Sequence, residues 1–224
     1  MNAVTESAKK ETARFNMIEQ QIRTWEVLDP TVLQLLNDIP REQFVPAAYQ
    51  GLAFADLEIP IGHGQLMLSP KLEGRLLQAL SIKNSDHVLH IGTGTGYLTA
   101  LLAKLAKHVV SVEIEPELSA LAAQHLKAQQ IQNITLEVGD AAHGWSQQAP
   151  YDVILFGASS PVEPANVRQQ LAIGGRMLII LGSAPVMRAT LIQRISEHGF
   201  REDVLFETCI APLTNATQAQ PFQF

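Results

Sequence analysis

The stretch His87-Val88-Leu89-His90-Ile91-Gly92-Thr93-Gly94-Thr95-Gly96-Tyr97 runs an apolar segment straight into three glycines spaced one residue apart. A short apolar run ending in glycines reads as a buried β-strand feeding a tight loop. Beyond the loop, Leu98, Leu101, Leu102 and Leu105 stand at helical spacing, so the unit is strand, turn, helix.

The pattern then repeats. VVSVEI at 109–114 is a second strand, and Pro116 stands at a favourable first helical position for PELSALAAQHLKAQQ. NITLEV alternates as a strand ending at Gly139-Asp140, YDVILFG at 151–157 is a strand buried on both faces, and GGRMLIILG at 174–182 is another. Helices are expected between or after these strands, as in ATLIQRISEHGF at 189–200. Strands alternating with helices mean βαβ units, hence an α/β fold with a doubly wound, mostly parallel sheet. Its ligand belongs at the carboxyl ends of the strands. Before residue 80 the chain reads as helices broken by Pro30, Pro40 and Pro46, leading into EIPIGHGQLMLSP.

Composition narrows the class. The 224 residues are 46% hydrophobic and 17% charged, enough for one substantial core. Sixteen Lys and Arg against 22 Asp and Glu give a net charge of −6, which sets no general field for nucleic acid phosphates. The N-terminus lacks the apolar core of a signal peptide and no run is long enough to span a bilayer, so a cytoplasmic protein with no membrane partner is expected. Cys209 stands alone, offers no metal set, and is expected to be a small buried strand residue; no metal is expected. Trp25 and Trp145 are expected as packing anchors.

The glycine spacing selects the ligand. A P-loop needs a Lys-Ser or Lys-Thr pair that this turn lacks, and a dinucleotide fingerprint needs a glycine where Tyr97 stands. The GxGxG form lets backbone approach a nucleoside while leaving little room for a pyrophosphate. Glu113, followed by Ile114, closes the second strand about twenty residues past the first glycine, where a carboxylate can accept from both ribose hydroxyls. Asp140 can accept from an adenine amine, with the small Ala141 admitting the ring. Adenine and ribose without phosphate point to S-adenosyl-L-methionine, with S-adenosyl-L-homocysteine as product. The candidate cofactor residues are His90, Gly92, Thr93, Gly94, Gly96, Glu113, Ile114, Asp140 and Ala141.

The chain resembles the protein-L-isoaspartate O-methyltransferases, a family of class I methyltransferases, over residues 15–213. The blocks that carry the likeness are QQIRTWEVLDPTVLQLLNDIPREQFVP, IPIGHGQ, VLHIGTGTGYLTALLAKL, VEIEPEL, GDAAHGW, APYDVIL, LAIGGRMLIILG and IAPL. The resemblance implies a Rossmann-like fold with a seven-stranded sheet and methylation of the abnormal carboxylate of isoaspartyl residues, the first step of protein repair. Length and pattern lead to one domain over 1–224: an N-terminal helical layer and acceptor-side segment at 1–80, a cofactor-binding core at 81–213 and, from its polarity, a tail at 214–224 expected to be flexible. A protein or peptide carrying isoaspartyl residues is the expected partner, for a monomer or weak dimer that binds no nucleic acid. A carboxylate acceptor is already ionised at neutral pH, so the reaction asks for alignment and dryness rather than a strong base.

Three departures from the family pattern bear on activity. Leu66 and Leu68 stand where the family has threonine and serine hydroxyls, and Ser69 is expected to face away from Leu68 as its neighbour in an extended segment. A lost hydroxyl bond to a charged acceptor is worth about 1.5–3 kcal/mol. His90 replaces an acidic residue, and reads either as a neutral core histidine or as a compensating partner at the methionine end of the cofactor. Phe156-Gly157-Ala158-Ser159 replaces the family's small-residue turn. His63, between two glycines, joins Leu68 and Ser69 as a candidate on the acceptor side. Two alternatives remain open: a small apolar acceptor suited to Leu66, Met67 and Leu68, and a cofactor-binding protein without turnover.

Overall fold

The structure is a computed structural model that describes residues 2–219, and it divides into two compact units, Met1–Ser81 and Ile82–Phe224. In the first unit, α1 (Asn2–Asn16) runs into a π-helical segment, Met17–Ile22, and a 3-10 turn that stops at Glu26 with φ 63°. Helix α2 (Pro30–Asp38) starts where Asp29 caps the N–H groups of Thr31 and Val32, with Pro30 in the first turn, where no N–H donor is needed. It ends at Ile39, pushed into extended backbone ahead of Pro40. Strands β1 (Ile59–Gly62) and β2 (Gln65–Met67) form an antiparallel hairpin, followed by α3 (Pro70–Leu80). Gly74 of α3 sits where an added Cβ would meet Ile22 at 3.3 Å and Leu36 at 3.4 Å, so the absence of a side chain sets the approach of these helices.

The second unit is built on a seven-stranded sheet of order β5-β4-β3-β6-β7-β8-β9. Its strands are β3 (His87–Ile91), β4 (His108–Glu113), β5 (Ile134–Val138), β6 (Tyr151–Ser160), β7 (Leu171–Ser183), β8 (Val186–Arg194) and β9 (Phe200–Thr208). β3 to β7 pair in parallel, β8 and β9 antiparallel. Helices α4 (Tyr97–Leu105) and α5 (Pro116–Ala128) make the crossovers from β3 to β4 and from β4 to β5. The chain moves outward from β3 through β4 to β5, then returns to lay β6 on the other side of β3, so the order reverses between β3 and β6. Val88, Leu89, Val109, Val110, Val153 and Ile154 are buried, as strands paired on both sides require.

Several expectations are corrected. The segment 189–200 is not a helix: it is most of β8 and the turn into β9. Ala189, Ile192 and Ile195 share a helical spacing by coincidence, since the first two are buried in the sheet while Ile195 is 63% exposed at the turn. Between β5 and β6, and between β6 and β7, the described chain has only 3-10 turns, at Ser146–Gln148 and Val167–Gln170. Cys209 is exposed, because it lies one residue past the end of β9. Trp25 is exposed and stacks under the Lys71 ammonium at 4.1 Å, whereas Trp145 does pack, its ring lying against Gly139. The tail expected to be flexible from 214 is held as far as Thr217: Asn215 donates to Asp140 at 2.9 Å and the Thr217 hydroxyl pairs with His143. Residues 220–224 of that stretch lie outside the described residues. Among the described residues no helix is long and apolar enough to cross a membrane.

Candidate cofactor site and acceptor-side hairpin

The glycine loop leaves β3 at its carboxyl end. Gly92, Gly94 and Gly96 all have positive φ (89°, 56° and 91°), a backbone path that side chains resist. Their roles differ. Gly92 and Gly94 are partly open and present backbone, while Gly96 caps α4 and is buried against α5. A Cβ on Gly96 would come within 3.1 Å of the Ala122 Cβ, so this glycine serves helix packing rather than ligand approach.

Glu113 is buried at the end of β4 and holds the loop, its carboxylate accepting from the N–H of Gly94 at 2.7 Å and from that of Glu115 at 3.1 Å. Asp140, exposed after β5, accepts from the N–H of Ala142 at 2.9 Å through one oxygen and from Asn215 through the other. Ala141 beside it is buried and Ile114 half-buried. Sequence order thus becomes spatial order, with Gly92, Glu113 and Asp140 at the carboxyl ends of three adjacent parallel strands, β3, β4 and β5.

His90 is 1% exposed. The parallel register sets it beside Ser111 on β4, and its Nδ1 lies 2.9 Å from Thr99 Oγ1 and 3.1 Å from Ser111 Oγ. Ser111 Oγ also pairs with Thr93 Oγ1 at 2.7 Å and with Thr99 Oγ1 at 3.0 Å. Thr93, expected to meet the cofactor, therefore turns its hydroxyl inward. Burial pushes the His90 imidazole down to about 3, so it is neutral at physiological pH. Its other nitrogen, Nε2, is buried without a hydrogen-bond partner.

Gly92 and Gly94 at positive φ and the buried carboxylate of Glu113 lie together at the carboxyl ends of β3 and β4, and acceptor atoms so placed suit a ligand bearing N–H and O–H donors. Ser111, Thr99 and Asn215 escaped the sequence reading. Ser111 left one signal, a hydroxyl in the middle of an apolar strand; Asn215 left none, because its partner lies far away in sequence.

Within the first unit, Gly62, His63 and Gly64 form the hairpin tip with φ of 95°, 53° and 71°, and His63 is exposed there. Leu66 is exposed and Met67 buried, as alternation requires, but the strand ends at Met67. Leu68 and Ser69 are both buried, at 7% and 8% exposure, and Ser69, in extended backbone, is the N-cap residue of α3. Beneath this turn Arg41 is fully buried: it donates to the carbonyls of Ala53 at 2.9 Å and Leu68 at 2.5 Å and pairs with the Glu73 carboxylate. Burial raises the Glu73 carboxyl to about 7, and the Arg41 charge opposes that rise. This anchor was also missed, because nothing local marks Arg41 as buried.

The family model described as Protein-L-isoaspartate(D-aspartate) O-methyltransferase matches residues 12–218. Over 170 residues the chain is 43% identical to a protein-L-isoaspartate O-methyltransferase of Picosynechococcus sp., covering 76% of this chain and 77% of that one. Over 181 residues it is 44% identical to a protein of the same name from Koribacter versatilis, covering 81% of each. Among solved structures, a Plasmodium falciparum protein-L-isoaspartate O-methyltransferase in complex with S-adenosyl-L-homocysteine superposes with a TM-score of 0.76 at 19% identity, covering 89% of this chain and 97% of that one. At that identity the superposition speaks to the fold.

Proposed function

The chain belongs to the protein-L-isoaspartate (D-aspartate) O-methyltransferase family, and from that premise we propose that it esterifies the abnormal carboxylate of isoaspartyl residues in proteins and peptides. The observation that carries this reading is the ordered set of Gly92, Glu113 and Asp140 on adjacent strands, in a chain matched to the family over residues 12–218.

Bound S-adenosyl-L-methionine supplies a methyl group on a sulfonium centre. The chain's residues bind and orient. Glu113, with two of roughly four lone-pair directions used by the loop, keeps capacity for ribose hydroxyls. Asp140 and Ala141 receive the adenine edge, Ile114 flanks it, and the backbone of Gly92 and Gly94 lies along the cofactor. Thr93 and Gly96 support that loop from behind. In the first unit the acceptor is served by the segment carrying His63, Leu68 and Ser69. Leu68 contributes shape and a carbonyl tied to Arg41, with no hydroxyl for the carboxylate. The burial of Met67 and Leu68 favours packing over the apolar-acceptor alternative. The protein acts in the cytoplasm as a monomer or weak dimer, and its charge of −6 disfavours nucleic acid partners.

The test is transfer of a radiolabelled methyl group to paired isoaspartyl and aspartyl peptides, wild type beside Leu68→Ser. Labelling of only the isoaspartyl peptide is expected, with Leu68→Ser faster by roughly tenfold as a hydroxyl donor returns. Cofactor binding without preference for the isoaspartyl peptide would overturn the assigned acceptor; no cofactor binding would overturn methyl transfer itself.

A further inference from the structure

Arg41 carries a charge into the interior of the first unit. Fully buried, its guanidinium draws together groups that are distant in sequence: the Ala53 carbonyl at 2.9 Å, the Leu68 carbonyl at 2.5 Å and the Glu73 carboxylate in the first turn of α3. Stability alone does not account for such a pair. Burying two charges offsets much of their attraction, and apolar side chains of similar volume often serve as well or better. What apolar side chains cannot supply is direction: a planar guanidinium presents its donors in a rigid fork, so the groups it binds are fixed in angle as well as distance.

Direction matters most at Leu68. The Leu68–Ser69 peptide lies between the end of β2 at Met67 and the start of α3 at Pro70, and among the described residues the hydrogen bond that fixes it is the one from Arg41. The peptide is trans, so with its carbonyl turned inward to Arg41 the N–H of Ser69 points the opposite way in the same plane. That N–H donates to no group among the described residues. Position 68 offers a carboxylate no hydroxyl, and what this turn has to present instead is backbone held in one orientation.

We propose that Arg41 is a positioning residue for the methyl acceptor: through the Leu68 carbonyl it holds the Leu68–Ser69 peptide in the orientation in which the turn receives the isoaspartyl carboxylate. This rests on the function proposed above. Glu73 balances the charge and keeps the fork in place. Both side chains are buried, so neither meets the acceptor itself, and their effect passes through the backbone of the turn.

Steady-state kinetics with an isoaspartyl peptide, beside calorimetry with S-adenosyl-L-homocysteine, tests this. Arg41→Lys keeps a charge opposite Glu73 but has no fork to hold both carbonyls. Its KM for the peptide is expected to rise roughly tenfold, while S-adenosyl-L-homocysteine binds within about twofold of wild type. The double variant Arg41→Met with Glu73→Leu removes both charges; its KM is expected to rise at least as far, although it resists urea better than Arg41→Met alone. Val32→Ala, a truncation of a buried side chain in α2, is the stability control and is expected to unfold earlier with KM unchanged. A lower kcat with unchanged KM in the Lys and double variants, the mark of fewer folded molecules, overturns the assignment. So does an equal rise in KM for Val32→Ala, or a matching loss of S-adenosyl-L-homocysteine affinity in the Arg41 variants. A wild type that methylates no isoaspartyl peptide overturns the proposed function and this assignment with it, whereas an active wild type whose variants keep their KM overturns the assignment alone.

Discussion

The Oε2 of Glu113 accepts the backbone N–H of Gly94 at 2.7 Å, so the carboxylate that closes β4 also holds the middle glycine of the loop that follows β3. Loop shape and the ribose recognition proposed for Glu113 therefore depend on one side chain. Glu113→Gln keeps the size but loses the charge and turns one acceptor into a donor facing an N–H. Affinity for S-adenosyl-L-homocysteine is expected to fall roughly tenfold or more by calorimetry, with a lower melting temperature for the free protein. Unchanged affinity would remove Glu113 from the cofactor site.

Arg41 and Glu73 form the buried anchor under Leu68. Arg41→Met leaves a buried carboxylate uncompensated and strips donors from two carbonyls, and is expected to cost about 3–5 kcal/mol in urea unfolding. Adding Glu73→Leu should recover much of that loss but not all, because the carbonyls of Ala53 and Leu68 stay unserved. Strictly additive losses in the double variant would show that the pair is not coupled.

Gly96 answers to two constraints at once. Its φ of 91° disfavours any L side chain, and an added methyl would sit 3.1 Å from the Ala122 Cβ and 3.3 Å from its Cα. Gly96→Ala is expected to destabilise the protein by about 2 kcal/mol or more, because α5 cannot recede without disturbing its packing. A change within about 0.5 kcal/mol would mean that the helices slide apart freely.

The buried His90 also predicts a pH dependence. Its ring is held near 3 in the folded chain against an ordinary 6.5, so below 6.5 the unfolded chain binds a proton that the folded one refuses. The contribution is fully present above 6.5 and is lost as pH falls through the window from 6.5 towards 3. Between pH 7.5 and 5.5, His90→Phe should lose about 1.4 kcal/mol less stability than the wild type. Parallel stability curves for the two proteins would show that His90 is accessible to protons in the folded state.

The first half of the sheet was legible because its signals are local and redundant. β3 and β4 are uninterrupted apolar runs, the glycines mark the turn, and Pro116 starts α5. The second half was harder. Ala189, Ile192 and Ile195 fit a helix as well as a strand, and pairing with β7 and β9 decided for strand. In the hairpin the alternation of exposed and buried residues held through Met67 and stopped at Leu68 and Ser69, both buried where the chain turns into α3.

Glycine spacing, an acid at the end of each of two later elements and the run of family blocks were enough to specify the cofactor class and the family, since each depends on residues close in the chain or on their order. What they could not specify was which polar atoms end up satisfied. That depended on register: His90 beside Ser111 on one side, and Gly157 brought by β6 to the other. A strand's pattern encodes which face is buried, not which distant residue will lie next to it. The histidine that looked like a lost carboxylate is, in the folded chain, an imidazole held at one nitrogen and buried without a partner at the other.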